Sequence, residues 1–585
     1  MIRHANALWA GVILLIAAAS AVGETFTVIN THDNPDAVYG SLRWAVEQAN
    51  SVEGPDTIVF AIPETDTGYD PGTGVWTINS YYVGYSLSVD DGTYIDGFSQ
   101  REFIGGDPNP LGPEIELSGG CIGIRRTSDI TVRGLCINEG HFTPISISGR
   151  PGEIIRNISV TGCYLNTDAA GIECVTPERN GISCSRVTGL RIGGDSEDER
   201  NIVSCANNYY VSLSYCGDAE IVNNYFGTDR TGTQDLVCEA RIGVSISYTT
   251  GPVLFRDNVV GAYWPLVHIA FTECDSGPVT MISNHLGETL DGTPMGSLEG
   301  IEVWHSPGHL FRENIIAHCH SRGAMNLHGD ITDYVTITRN AIYDSRGGID
   351  LYNSDIQNFH GIDPADGVYG PGVNEEIDTP LCESMITDSE STTVYFRCMR
   401  DCVVEIFIAD PGVRSVCSEA GYDYVYSGMT YLGDAEEIVQ GPVWSTYRYT
   451  IAPGLVPGTR ITCTATNGNG STSEFGCTCQ VPVEGDVSPG CVPEGHTFDV
   501  SGLNRGGDEV LLRYALPEPA RLAITVYDMG GREVAVAVQG DHDAGEYTIR
   551  WKPRPAGVGD MPSGSYLFRL TADRFISTRE VVIIR

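Results

Sequence analysis

Gly300-Ile-Glu-Val-Trp304, Ala324-Met-Asn-Leu-His328 and Gly348-Ile-Asp-Leu-Tyr352 write one phrase three times at a spacing of 24 residues. The second and fourth positions are apolar each time, which is the alternation of a strand and not the period of a helix. Two earlier stretches, Gly243-Val-Ser-Ile-Ser247 and Leu266-Val-His-Ile-Ala270, fit the same phrase. Between them runs a second one that ends in asparagine and an apolar pair: Phe255-Arg-Asp-Asn258-Val-Val, Met281-Ile-Ser-Asn284-His-Leu, Phe311-Arg-Glu-Asn314-Ile-Ile and Ile337-Thr-Arg-Asn340-Ala-Ile. Two short strands in so short a period leave no room for a helix. The pattern predicts coils of a parallel β-helix.

In such a fold each strand hydrogen-bonds its equivalent in the next coil, about 4.8 Å away, so equivalent residues form ladders. The pairs Val244/Ile246, Val267/Ile269, Ile301/Val303, Met325/Leu327 and Ile349/Leu351 are expected to point inward. Asn224, Asn258, Asn284, Asn314 and Asn340 are expected at a bend, bonding neighbouring coils and adopting left-handed backbone. The third position of each phrase faces outward and predicts the ladder Ser146, Glu173, Ser212, Ser245, His268, Glu302, Asn326, Asp350. The fifth predicts Ser247, Ala270, Trp304, His328, Tyr352. Rings stack on sugar faces and carboxylates bond hydroxyls, so His268, Trp304, Asn326, His328 and Tyr352 are candidate ligand contacts. Glu302 and Asp350, two coils or about 10 Å apart, are near the separation of the two carboxylates of an inverting glycosidase and are the candidate catalytic pair. The same ladders also serve a purely structural role, because outward strand positions are polar and aromatics stack well between neighbouring strands.

With 585 residues the chain is too long for one ordinary domain. Its net charge of -41 argues against nucleic acid, heparin-like polyanions and anionic membranes. The first residues are basic, then an apolar run spans about 7–19, then small residues follow to Gly23. This is the order of a secretory signal, with cleavage expected after Ala21 or Gly23. No later segment is apolar enough to span a membrane, so the expectation is an exported, extracellular or cell-surface protein. The 18 cysteines of an exported chain suggest disulfides in the 382–479 group. In the solenoid, stacked core thiols are an equal reading: Cys174 falls at an inward position and Cys163 at the asparagine position.

Near the N-terminus, Gly40-Ser-Leu-Arg-Trp-Ala-Val-Glu-Gln-Ala-Asn50 places Leu42, Ala45, Val46 and Ala49 on one helical face, a cap for the open end of the solenoid. Gly-Ser-Leu-Arg-Trp-Ala also resembles the Cys-Ser-Leu-Arg-Glu-Ala motif of bacterial exported β-helix proteins, with Gly40 and Trp44 at its cysteine and glutamate. The insertions Gly227-Thr-Asp-Arg-Thr-Gly-Thr233 and Gly287-Glu-Thr-Leu-Asp-Gly-Thr293 resemble turns of the same family, and turn-rich insertions sit on one side of a solenoid, where many binding faces lie. Thr464-Ala-Thr-Asn-Gly-Asn-Gly-Ser-Thr-Ser-Glu-Phe475 looks like the end of that family's attached β-sandwich.

Short alternating strands between glycine and proline turns give a sandwich at 378–482, and 483–497 reads as a linker. From 498 to 585, Val526-Tyr-Asp-Met-Gly-Gly-Arg-Glu-Val534, Gly545-Glu-Tyr-Thr-Ile-Arg-Trp551 and Ser563-Gly-Ser-Tyr566 resemble the flagellar hook-cap Ig-like module and the sorting domains of type IX secretion. That resemblance implies a sorting or anchoring role. The expected order is therefore a signal at 1–23, a right-handed parallel β-helix with its cap at 24–377, and two small β-sandwiches, with handedness set by the crossover rule and the resemblance.

Seven histidines crowd 268–328 but spread over three coils, so no metal site is expected; His318 and His320 around Cys319 form the compact trio. Asp363 and Asp366, in a Pro/Gly-rich loop, offer oxygens to calcium or form simple Asx turns. The leading functional expectation is a noncatalytic adhesin-like or glycan-binding protein, the alternative a polysaccharide hydrolase or lyase. Polysaccharides or surface glycans are the expected partners.

Overall fold

The computed structural model describes the chain except for residues 1–22, 34–35, 53, 81–84, 88–91, 176–177, 237–240, 262–266, 330, 353–372, 388–389, 412–426, 477, 482–495, 502–509, 518–519, 543–544, 552–563, 573 and 584–585. The expected signal, Asp363, Asp366 and most of the expected linker lie outside the described residues.

Three sheets of 11, 11 and 10 strands stack along one axis, parallel throughout except where the short strand Tyr69–Asp70 pairs antiparallel with Val75–Asn79 at the start of the second. Each coil contributes one strand to each sheet: in one coil these are Val253–Arg256 on the first face, Val259–Val260 on the second and Val267–Thr272 on the third. The sequence pattern implied two strands per coil, because the second-face strands are mostly two or three residues long, too short to show alternation. The apolar pair after each asparagine is that third strand. One hydrophobic core runs the length of the cylinder, from Phe26 and Val28 to Ile349. It holds the free, buried thiols Cys163, Cys184, Cys216, Cys274 and Cys319, but they do not stack on one another: Cys184 pairs with Ile147 and Leu213, Cys319 with Ser297, and Cys163 with Asn201. Burial pushes Cys163 and Cys319 up to about 12 and Cys216 and Cys274 up to about 11. Cys174 departs from its expected inward position: it is exposed and joined to Cys205 by a disulfide.

The bend between the first and second faces carries an asparagine ladder. The side-chain amides of Asn201, Asn224, Asn258, Asn284 and Asn314 each donate to Oδ1 of the next asparagine at 2.8–3.1 Å, ending on Asn340. That same Oδ1 also accepts the previous asparagine's backbone N–H. Cys163 starts the column by donating its N–H to Asn201 Oδ1. The left-handed residue is the one before, not the asparagine: Asn223, Asp257, Ser283, Glu313 and Arg339 have φ of 54–57°. The asparagine itself turns inward, where its buried amide has to be fully paired.

Both ends of the cylinder are closed. At the first, Ser41 caps the helix Leu42–Ala49, and its four expected apolar residues are buried against the core. At the other, the last rung would leave backbone N–H groups unpaired, and the antiparallel sheets formed by Leu381–Thr387 to Cys479–Gln480 cover it. Thr472 Oγ1 accepts from the N–H of Ile337 (2.9 Å), Glu405 from that of Arg339 (2.9 Å), Asp410 from that of Asp344 (2.5 Å) and Glu474 from that of Leu351 (3.0 Å). All three faces are thus terminated by side chains, which removes the edges along which coils of two molecules would pair. Phe407 and Phe475 extend the solenoid core into this cap. A disulfide joins Cys382 to Cys479. Last come a three-stranded and a four-stranded antiparallel sheet, from Thr497–Ser501 to Phe575–Ile583, around their own core.

Candidate functional site

The third face carries the outward ladder, with a register that differs from the sequence expectation in two places. Its third-position column runs Ser146, Ser183, Ser212, Ser245, Ala270, Glu302, Asn326, Asp350. Glu173 lies instead in a turn, where its N–H bonds Asp168. His268 sits two residues earlier than expected, because Ile269 and Phe271, not Val267 and Ile269, take the inward places opposite Ile301 and Val303. Thr272 accordingly replaces Ala270 in the fifth-position column of Ser247, Trp304, His328 and Tyr352. Two alignments bury equally apolar residues, and the strand pairing selects the one that puts Phe271 in the core.

Glu302, Asn326 and Asp350 do occupy three successive rungs. Asp350 is only 3% exposed, its Oδ1 has no partner among the described residues, and burial pushes its carboxyl up to about 7. Asn326 is equally buried and donates to Glu299 Oε2 at 3.5 Å. Glu302 stays half-buried, 4.0 Å from His328 Nε2. The Trp304 and His328 rings stack at 4.2 Å and 10° between planes, so each covers a face of the other. Of the five expected ligand contacts, Trp304 and His328 come together, Asn326 is adjacent beneath them, Tyr352 joins by backbone pairing, and His268 is buried elsewhere. The arrangement offers a ring edge beside carboxylates of unlike environment.

A second place was not legible as a site. A cleft of about 350 Å³ opens where the first and second faces meet, between Phe98, Arg101, Asp107, Tyr164, Arg200 and Arg230. Tyr164 Oη donates to the Leu111 carbonyl at 3.0 Å, and Arg230 hydrogen-bonds the same phenol. Arg200 is clamped by Asn223 Oδ1 through two bonds (3.1 and 2.9 Å) and lies over Tyr225. Arg101 stacks on Phe98 and pairs with buried Glu114, whose own carboxyl desolvation raises to about 7. Guanidinium, carboxylate and aromatic groups therefore converge in one hollow, the composition of a site for a polar, ring-shaped ligand. One hint was legible along the chain: Arg230 belongs to the insertion 227–233. The other residues come from distant coils and share no period.

Residues 499–574 match the FlgD Ig-like domain family. No curated protein matches the chain. Among solved structures, the dimeric latent PorU from Porphyromonas gingivalis is similar at 11% identity and a TM-score of 0.16, over 35% of this chain and 20% of that one. The tailspike protein gp49 of Acinetobacter baumannii bacteriophage Fri1, a capsular polysaccharide depolymerase, is similar at 10% identity and a TM-score of 0.20, over 74% of this chain and 83% of that one. Among the described residues no helix is long and apolar enough to cross a membrane. The chain thus carries a stretch, 499–574, that matches the FlgD Ig-like domain, following a parallel β-helix and the antiparallel sheets that cap it.

Proposed function

We propose that this is an exported, surface-held protein that binds glycans without turning them over, and that the cleft between Phe98 and Arg230 is its ligand contact. The supporting observation is the convergence of Tyr164, Phe98, Arg200 and Arg230 with Asp107, Glu197 and Asp198 around one opening. Side chains of both signs match vicinal hydroxyls, and the net charge of -41 disfavours strongly anionic polymers. The ligand class is accordingly a neutral polysaccharide. In this reading the leader directs export and the C-terminal Ig-like domain serves sorting or anchoring.

A glycan array probed with the full chain tests it. Binding to neutral glycans, weakened at least tenfold by Tyr164→Ala and by Arg230→Ala but kept in Trp304→Ala, supports the cleft. Binding lost only in Trp304→Ala moves the contact to the third face, and no binding sinks the proposal. The runner-up, a polysaccharide hydrolase or lyase, draws on the protonated character of Asp350 two rungs from Glu302. Product analysis on any bound glycan, with turnover removed by Glu302→Gln or Asp350→Asn, decides for it.

A further inference from the structure

His318 stands between carboxylates of the two neighbouring coils at the corner where the second and third faces meet. Ala317 pairs with Tyr343 across the stack, which sets Asp344 beside His318 on the next coil. On the coil before, Glu288 follows the strand His285–Leu286. His318 Nδ1 meets Asp344 Oδ2 at 2.6 Å, whereas Nε2 lies 3.8 Å from Glu288 Oε2. His320, the second residue of the strand Cys319–His328, is the third group at this corner. Cys319 turns into the core between the two histidines, and their ring centroids are 6.4 Å apart. One ligand atom from each of His318, His320 and Asp344 lies within 4.8 Å of the other two.

Burial divides these groups. Glu288 is 5% and His318 8% exposed, while His320 and Asp344 face solvent. A neutral imidazole has one N–H and can serve only one of two carboxylates. The 2.6 Å contact holds that proton on Nδ1, and Nε2 has no hydrogen-bond partner among the described residues. Its lone pair then faces the buried Glu288 carboxylate, acceptor against acceptor and away from water, which is costly. The Tyr343 hydroxyl donates to the same Glu288 oxygen at 2.5 Å and holds it in place.

A cation on Nδ1 removes the conflict: it takes the place of the Nδ1 proton, and the ring carries its proton on Nε2 instead, where Glu288 accepts it. A carboxylate behind the second nitrogen is the usual support of a histidine metal ligand. We propose that His318 through Nδ1, His320 and Asp344 bind a divalent transition-metal cation of the zinc type, with Glu288 as the positioning residue of His318. Ligand atoms about 2.0–2.2 Å from such a cation stand roughly 3.0–3.5 Å apart, so Asp344 has to withdraw from Nδ1 by about half an ångström and His320 to close in. Both side chains are exposed, Asp344 by 63%, and make these moves without disturbing the core. Two imidazoles and one carboxylate suit zinc better than calcium or magnesium, which prefer all-oxygen shells. Three protein ligands leave a further position open to solvent, for water or a donor atom of a ligand.

The full chain, stripped with a chelator and dialysed against zinc, is analysed for bound metal and titrated calorimetrically with zinc alone. One zinc per chain is expected, with affinity reduced about 100-fold or more in a His320→Ala, Asp344→Asn chain, whose replaced side chains lie outside the core. Cobalt(II) in place of zinc should give visible absorption bands in the parent and not in this double variant. Glu288→Gln should bind zinc about tenfold to 100-fold more weakly and shift the cobalt bands, which a residue that only packs would leave in place. His305→Ala, a histidine outside the corner, serves as control and keeps the metal. A parent chain that retains no zinc overturns the proposal, even if the variants fail to fold. So does a folded double variant that binds zinc as well as its parent.

Discussion

At Asn284 a single side chain donates to the Phe255 and Ile282 carbonyls and to Asn314 Oδ1, and accepts from the N–H and amide of Asn258. Asn284→Ala leaves several of these buried groups unpaired, at about 1–3 kcal/mol each, and is expected to lower the urea midpoint by the equivalent of roughly 3–5 kcal/mol. The neighbouring left-handed position behaves oppositely. Glu313, with φ of 56°, gains up to about 1 kcal/mol on replacement by glycine and loses about 1–2 on replacement by valine, which a thermal melt distinguishes. Asp350 and His309 each contribute to the pH dependence, beside Glu114 and His268, which burial shifts in the same directions. The Asp350 carboxyl is near 7 when folded and about 3.9 when unfolded, so the folded state holds the extra proton and stability falls as pH rises from about 4 to 7. Asp350→Asn should therefore be stabilising above pH 7, by at most about 4 kcal/mol. His309 is lowered by burial to about 4, and its Nδ1 accepts the Val279 N–H at 3.0 Å. Here the unfolded state binds the proton first, at about 6.5, so stability falls as pH drops from there through 4, and His309→Gln should flatten that limb. Denaturation midpoints across the pH range test both slopes.

The element that most depends on its neighbour is the last coil. Its strands Thr336–Thr338, Ala341–Tyr343 and Ile349–Tyr352 have partners on one side only, and the cap supplies the other through Thr472, Glu405, Asp410 and Glu474. Glu405 accepts both the Thr338 hydroxyl and the Arg339 N–H, so Glu405→Leu unpairs two groups and is expected to cost about 2–4 kcal/mol. A chain ended after 352 exposes all three edges and should self-associate more than the full chain, which light scattering on the two detects. Reduction of Cys382–Cys479, which closes a segment of 97 residues, should destabilise the cap by roughly 4–5 kcal/mol in the chain-entropy account.

Over the whole molecule, 76 acidic against 35 basic residues make self-repulsion a global term. Raising salt to about 1 M shortens the screening length to about 3 Å, so the melting temperature should rise with sodium chloride. The same molecule keeps its arginines where they have local work: Arg101 and Arg200 lie on aromatic rings at the cleft, and Arg339 pairs with Asp434 across the junction of solenoid and cap.

Alternation in phrases such as Gly348-Ile-Asp-Leu-Tyr352 determined the parallel coils by itself, because burial of every second residue is a local property that strands must write in sequence. The capping helix, the stacked asparagines and the third-position column from Glu302 to Asp350 were legible for the same reason. What the tertiary structure decided is registration and convergence. Whether Val267 or Phe271 faces the core depends on the coil above and below, and that choice moved His268 off the ladder. The left-handed residue before each asparagine follows from how the chain turns the corner. The cleft of Tyr164, Arg200 and Arg230 joins residues from different coils, and proximity across a stack leaves no mark along the chain.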